Sequence, residues 1–380
     1  MSLSAAAAAG RPLHVAILGA GTVGREVVRA FESTPERLAP ADGASLVLHA
    51  VAVRDLARAA AAGVPADLLT DAPAHLVADR DVDVVVELIG GLEPARTLVL
   101  AALAGGRHVV TANKALVAAH GPELEAAART SGASLRFEAA AGGGIPVLGP
   151  LASDLAANRL TAVRGIVNGT TNFMLSAMAD ERRGYDEVLA DAQARGYAEA
   201  DPSADVEGHD AVAKLVVLVR LAFGAWPEPA RVANRVVAPD GAACRPGITG
   251  VTAEDVAFAA ASGRTVKLLA RAMVAADGAI EAAVLPTLLP ATTPLARTAG
   301  VLNRIEVEGT PIGRVAFEGP GAGGPATSSA VLGDLLAIAR GGSSTWAGLP
   351  ARVERSSLPV RAPASPMVVA PSGAAYPVVE

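Results

Sequence analysis

The sequence predicts an α/β protein: a Rossmann-type doubly wound parallel sheet followed by a second α+β substrate and dimerisation domain. Three observations carry that prediction. The apolar run Leu13–Leu18 meets the turn Gly19-Ala20-Gly21-Thr22-Val23-Gly24 and then a helical pattern through Phe31, which is the order strand, turn, helix. Further apolar runs at 46–53, 81–90, 108–111 and 135–138 alternate with helical patterns, as βαβ units do. Beyond residue 150 the runs at 265–275, 280–285 and 314–317, with the hairpin signal Asp277-Gly278 and a short helix near Asp255, read as an antiparallel sheet backed by helices.

A chain of 380 residues is long for one compact core and suggests two domains. The expected divisions are a loose segment 1–11, a nucleotide-binding domain 12–150, a catalytic and dimerisation domain 151–318, a Gly-rich loop and helix 319–341 returning to the nucleotide domain, and a Pro-rich tail 342–380. Hydrophobic content of 51% against 18% charged residues describes a globular protein. A net charge of −6 offers no basic stripe for a nucleic acid, so the expected ligand is a small molecule. The single cysteine, Cys244, fits a reducing compartment, and the cytoplasm is the expected location. The longest apolar stretch, Ala211 to Trp226, is interrupted by Lys214 and Arg220, so no membrane segment is expected. The six histidines are scattered without ligand spacing, which argues against zinc.

In a strand–turn–helix of this kind Gly19 makes the tight bend, Gly21 lets a pyrophosphate approach the backbone, and Gly24 allows close packing of helix on strand; the helix start at Thr22 and Val23 then offers free N–H groups. The residue beyond the second strand chooses between a ribose 2′-hydroxyl and a 2′-phosphate. Arg54 stands first there, with Arg58 near, which favours NADP, while Asp55 keeps NAD possible. Ligands sit at the carboxyl ends of strands in such sheets, so Ile89-Gly90-Gly91 and Ala112-Asn113-Lys114 should face the cofactor.

The segment 137–146, FEAAAGGGIP, sets three consecutive glycines between a strand and a new helix. One carboxylate with several inward carbonyls suits a hard cation, and a single charge suits a monovalent one; a bare interdomain hinge would read the same way.

The densest cluster of ionisable groups is AQARGYAEADPSADVEGHDAVAK, residues 192–214. Asp201-Pro202 is a good helix start, and Asp210 and Lys214 are one turn apart on one face. On one straight helix Asp205 would lie on the side opposite Lys214, so both can meet one ligand only if the helix breaks, which Gly208 permits. The apolar sequel LVVLVRLAF argues that the helix is buried. A buried Lys held by Asp can pass a proton, whereas an exposed pair at this spacing is only a surface ion pair worth about 0.5 kcal/mol. Glu199, in the loop before the cap, can hold an ammonium group. Asn168-Gly169-Thr170 follows a strand at 160–167 and can cap the next helix.

The signature at 192–214, with GAGTVG at 19–24, TANKA at 111–115, FEAAAGGGIP at 137–146, GIVNGTTNF at 165–173 and GPGAGGPAT at 319–327, resembles the homoserine dehydrogenase family over nearly all of residues 12–341. The resemblance implies NAD(P)-dependent interconversion of L-homoserine and L-aspartate 4-semialdehyde by direct hydride transfer, in threonine and methionine biosynthesis, by a homodimer. It implies that Lys214, Asp210 and Lys114 are catalytic, that Lys114 stands beside nicotinamide and substrate, that Glu199 binds the substrate amino group with Asp205, Gly169 and Thr170 lining the pocket, and that Gly323 approaches the cofactor. It also implies a sodium or potassium ion held by Glu138 and the carbonyls of Ala141, Gly143 and Ile145. Longer members continue into a regulatory ACT domain. The forty residues after Arg340, with prolines at 350, 359, 363, 366, 371 and 377, are expected to be too few for one, and the enzyme to escape threonine feedback. Two rivals are an acylating aldehyde dehydrogenase, which needs a cysteine nucleophile that Cys244 supplies poorly, and a catalytically silent NADP-binding sensor.

Overall fold

The computed structural model describes residues 11–237, 241–350, 360–363 and 365–379; most of the expected loose segment 1–11 and residues 351–359 of the expected tail lie outside these. The chain forms two compact units, Met1–Asp154 with Ala322–Ala351, and Leu155–Gly321 with Arg352–Glu380.

The first unit holds a six-stranded parallel sheet of β1 (Leu13–Leu18), β2 (Leu46–Ala52), β3 (Leu69–Thr70), β4 (Val84–Glu87), β5 (His108–Thr111) and β6 (Leu135–Arg136), in the order β3-β2-β1-β4-β5-β6. This is the doubly wound order in which the sheet reverses direction beside β1, leaving a crevice at the carboxyl ends of β1 and β4. Val84, Val85 and Val86 are fully buried, as expected of a strand covered by helices on both faces. The two-residue β3 carries too little apolar pattern to be visible in the sequence. Leu13, Val15, Ile17, Val27, Val28, Val331, Leu335 and Ile338 share one core, so the helices Thr22–Ser33 and Gly324–Ala339 both pack in this unit.

The second unit is built on β7 (Arg159–Ile166), β8 (Arg235–Val237), β9 (Ala243–Pro246), β10 (Arg264–Val274), β11 (Ile280–Pro290), β12 (Leu302–Thr310) and β13 (Gly313–Pro320). Residues 360–379 add β14 (Val360–Arg361), β15 (Met367–Val369) and β16 (Ala375–Pro377). The larger sheet runs β13-β12-β7-β10-β11-β14 and the smaller β15-β16-β8-β9. All pairings in the larger sheet are antiparallel except β11 with β14. The last three strands are only two or three residues long; β14 and β15 lie between prolines, and β16 ends on Pro377. The hairpin of β15 and β16 is anchored through Asp255, fully buried at the start of the helix Ala253–Ala261, whose carboxylate accepts from the Tyr376 hydroxyl at 2.8 Å and the Ser372 N–H at 3.0 Å.

Candidate active site

In the first unit the glycine turn divides its labour residue by residue. Gly19 has φ +101°, and a Cβ there would stand 2.7 Å from the Leu88 carbonyl oxygen. At Gly24 a Cβ would meet the Gly19 oxygen at 2.1 Å, so helix and turn are in backbone contact. At Gly21 it would meet nothing within 4 Å: this is the open position. Gly21 also precedes the twelve-residue helix Thr22–Ser33 with no side chain capping its first N–H groups. An open glycine at an uncapped helix start is a place for an anion.

Gly19, Gly21, Thr22, Arg54 and Ile89 line one cavity of about 770 Å³. Val23 is half-buried and packs toward the core instead. Arg25 and Arg58 join Arg54 on the wall, with Asp55 and Asp71. The Asp55 carboxylate accepts the N–H of Arg58 at 2.9 Å and thereby caps its own helix, Leu56–Ala61. The far wall is organised by Glu87, fully buried at the end of β4. One of its oxygens accepts the N–H groups of Ile89 (2.9 Å) and Gly90 (3.1 Å), and the other accepts the Thr111 hydroxyl at 2.6 Å. Asn113 ties the same loop from the other side, donating to the Gly91 carbonyl at 2.7 Å while its oxygen caps the helix Lys114–Ser131. Asn113 stands where the sequence placed it, whereas Glu87 was not expected, although a charge closing a Val-Val-Val strand is a readable signal. Lys114, half-buried, is the first residue of that helix.

The segment after β6 differs from the expectation in one respect. The Glu138 carboxylate does not stand free beside the glycines: it accepts the N–H groups of Val147 (2.7 Å), Leu148 (2.8 Å) and Gly149 (2.7 Å), capping the short helix Leu148–Ala152. Three unpaired amides at a helix start attract a carboxylate, whereas carbonyl oxygens, being acceptors themselves, repel it unless a cation stands between. Burial and the nearby Asp334 carboxylate push the Glu138 pKa up, and burial does the same to Asp334, which Arg136 contacts at 2.7 Å. The carbonyls of Ala141, Gly143 and Ile145 belong to buried residues and accept no hydrogen bond among the described residues. Glu138 and Asp334 share one guanidinium, and the three carbonyls are neutral oxygens of the kind a monovalent cation takes.

The second unit gathers the remaining residues. The helix is interrupted as the geometry required: Ser203–Val206 ends, Gly208 takes φ +83°, and His209–Phe223 begins. The first of these starts one residue later than predicted, with Pro202 rather than Asp201 at the N-cap; Asp201, one residue before it, accepts the Ser203 N–H at 3.1 Å. Lys214, 7% exposed, lies 2.8 Å from Asp210 Oδ2 and donates to the Val167 carbonyl at 2.6 Å. Asn168 then bridges the two carboxylates, its Nδ2 donating to Asp205 Oδ1 (2.7 Å) and Asp210 Oδ2 (3.0 Å). Thr170 donates within reach of Asp205 Oδ2 at 3.1 Å and the Tyr197 carbonyl at 2.7 Å. Lys214, Asp210, Asn168, Asp205 and Thr170 thus form one connected polar set. The Asn168 oxygen also caps the helix Gly169–Glu181, so its predicted role is real but is half of what it does. Gly169 has a packing reason of its own: a Cβ there would stand 2.8 Å from the Val301 oxygen. Glu199 is exposed and its carboxylate has no partner among the described residues, so it remains outside the network.

Cys244 is half-buried on the short edge strand β9. Among the described residues no group of three or more His, Cys, Asp or Glu could hold a metal ion, and no helix is long and apolar enough to cross a membrane.

These features have counterparts in known proteins. A family model described as homoserine dehydrogenase matches residues 146–336, and one described as homoserine dehydrogenase, NAD binding domain, matches residues 19–138. The homoserine dehydrogenase of Mycobacterium leprae is 48% identical over 334 residues, which cover 87% of this chain and 73% of that one. A crystal structure of the Thiobacillus denitrificans enzyme superposes with a TM-score of 0.83 at 41% identity, covering 93% of this chain and 80% of that one. A hyperthermophilic archaeal homoserine dehydrogenase solved in complex with NADPH superposes with a TM-score of 0.70 at 26% identity over 86% of this chain and 97% of that one. With its dinucleotide crevice in one unit and its buried Lys–Asp network in the other, the chain belongs to the homoserine dehydrogenase family, NAD(P)-dependent oxidoreductases acting on a CH–OH group.

Proposed function

We propose that this enzyme interconverts L-homoserine and L-aspartate 4-semialdehyde with NADP as its preferred cofactor and with Lys214 as the group that moves the proton. One observation carries the assignment. Asp210 and the Val167 carbonyl take two of the three N–H donors of the Lys214 ammonium, no third acceptor is in reach among the described residues, and the third donor is assigned to a substrate oxygen. When bound in the crevice lined by Gly19, Gly21 and Arg54, the nicotinamide cofactor would supply the hydride chemistry. In the direction of reduction Lys214 donates its third proton to the oxygen as negative charge grows on it; in the direction of oxidation the neutral amine takes the hydroxyl proton. Asp210 keeps the ammonium aimed and balances its charge, and Lys114 adds positive charge at the end of β5.

Thr170, Gly169 and Asp205 are assigned to substrate binding, and the unpartnered carboxylate of Glu199 to the substrate ammonium group. Glu199→Gln keeps the shape and removes the charge, so it should raise the homoserine KM while leaving NADPH affinity unchanged. The preference for NADP is supported by Arg25, Arg54 and Arg58 on one cavity wall and by Asp55 being occupied with its own helix; the archaeal relative solved with NADPH agrees with it. Gly323, with φ +107° at the start of the helix Gly324–Ala339, is assigned to the cofactor as well. The sodium or potassium ion is assigned to Glu138 with the carbonyls of Ala141, Gly143 and Ile145.

Homodimer formation is proposed from the family resemblance, and light scattering tests it. The single cysteine supports a cytoplasmic location. The reaction itself is tested by incubating the purified chain with L-homoserine and NADP⁺ and following the absorbance of the reduced cofactor. Absence of turnover with wild type would overturn the reading, and undiminished turnover in Lys214→Ala would remove Lys214 from it.

A further inference from the structure

Lys267 lies in the interior of β10, 2% exposed, and none of the functions above uses it. Its three N–H donors are all taken: by Asn172 Oδ1 at 2.8 Å, by Ser176 Oγ at 3.1 Å and by the Thr298 carbonyl at 2.7 Å. None of the three acceptors is a carboxylate. Asp180 acts on it only through its charge, and burial pushes the Lys267 pKa down to about 8.

The acceptors are arranged with a purpose. Asn172 and Ser176 are one turn apart on the same face of the helix Gly169–Glu181. Asn172 passes the connection on, its Nδ2 donating to the carbonyls of Gly300 (2.9 Å) and Leu302 (3.2 Å). The carbonyl of Val301, between these two, is the group that would crowd any side chain at Gly169. Lys267 therefore binds both the helix and the segment 298–302, and that segment lies against the first residue of the helix. Asn168 and Thr170, which flank Gly169, hold Asp205 and Asp210.

A buried ammonium without an acid partner is costly where a methionine would fill much the same volume. We infer that Lys267 is a positioning residue for the substrate site: it locks the start of the helix Gly169–Glu181 against residues 298–302, and so keeps Asn168 and Thr170 in register with Asp205 and Asp210. This rests on the assignment of Thr170 and Asp205 to substrate binding.

The experiment is the ratio of the two Michaelis constants in homoserine oxidation by the full chain. A displacement of about 1 Å at a binding group can cost on the order of 100-fold, so Lys267→Met should raise the homoserine KM roughly 10- to 100-fold while the NADP⁺ KM stays within about twofold. Ser176→Ala, which removes one of the three bonds, should shift the ratio in the same direction by less. Adding Asn172→Leu to Lys267→Met should cost less than the sum of the two single effects, because both act through one segment. A homoserine KM within about twofold of wild type in folded Lys267→Met overturns the inference, as does an equal rise in both constants. If Lys267→Met does not fold, Ser176→Ala and Asn172→Leu decide by the same ratio. Thr170→Val separates the two claims: if it leaves the homoserine KM unchanged, the substrate assignment fails; if it raises the KM and Lys267→Met does not, only the inference about Lys267 fails.

Discussion

Asp210 Oδ2 lies 2.8 Å from Lys214 Nζ, with both side chains 9% exposed. At the surface such a pair contributes little, because water screens it and side-chain entropy opposes it. Here the pair is enclosed, and Asn168 holds the same Asp210 oxygen from the other side at 3.0 Å, so the ammonium is aimed before any substrate arrives.

Removal of the Lys214 ammonium should therefore act on chemistry more than on binding. Lys214→Ala is expected to lower kcat by roughly 10²–10⁴-fold, the usual worth of a positioned proton donor, with NADPH affinity nearly unchanged. A parallel loss of NADPH binding would make Lys214 structural.

Arg54 should separate the two nicotinamide cofactors. If it receives the 2′-phosphate, Arg54→Ala will raise the KM for NADPH far more than that for NADH. Equal changes would mean that it does not contact the phosphate.

If Glu138 holds a monovalent cation, the ion's effect on stability will depend on pH. Its pKa is raised by burial and by Asp334, so without a cation its contribution is fully present below the unfolded carboxylate range and is lost as pH rises through the folded pKa. A monovalent cation would offset that loss. Sodium or potassium chloride, compared at equal ionic strength with a bulky organic chloride, should raise Tm at neutral pH and have little effect at low pH, where Glu138 is protonated. The ion effect should vanish in Glu138→Gln. Equal Tm values in all three salts at neutral pH would argue against the ion.

Lys267 gives a signature of the opposite sign. It titrates near 8 in the fold and near 10.5 when unfolded, so between these values the unfolded chain holds the proton that the native state has released. Stability contributed by Lys267 should rise with pH across that window and be lowest below it. The Tm of wild type relative to Lys267→Met should climb from about pH 8 to about pH 10. A constant difference would mean that the ammonium is not held in a costly environment.

What the sequence determined by itself is what local chemistry specifies. The glycine turn at 19–24 requires its φ values and close approaches whatever surrounds it, and the apolar period of 84–87 requires a buried parallel strand. The spacing of Asp205, Gly208 and Lys214 required a broken helix, and the family signature supplied the activity. The tertiary structure alone decided which distant groups complete each other. Glu138 sits nine to eleven residues from the amides it caps, and no periodicity announces that pairing. Asn168 reads as a helix cap in one dimension and becomes a bridge between two carboxylates only when β7 delivers it beside a helix forty residues further on. Lys267, in an apolar run, carried no mark beyond its charge, because its three partners come from two elements separated by more than a hundred residues. Short-range rules fix backbone shape from a few neighbours, whereas a buried polar group is satisfied only by whatever the packed chain brings within 3 Å.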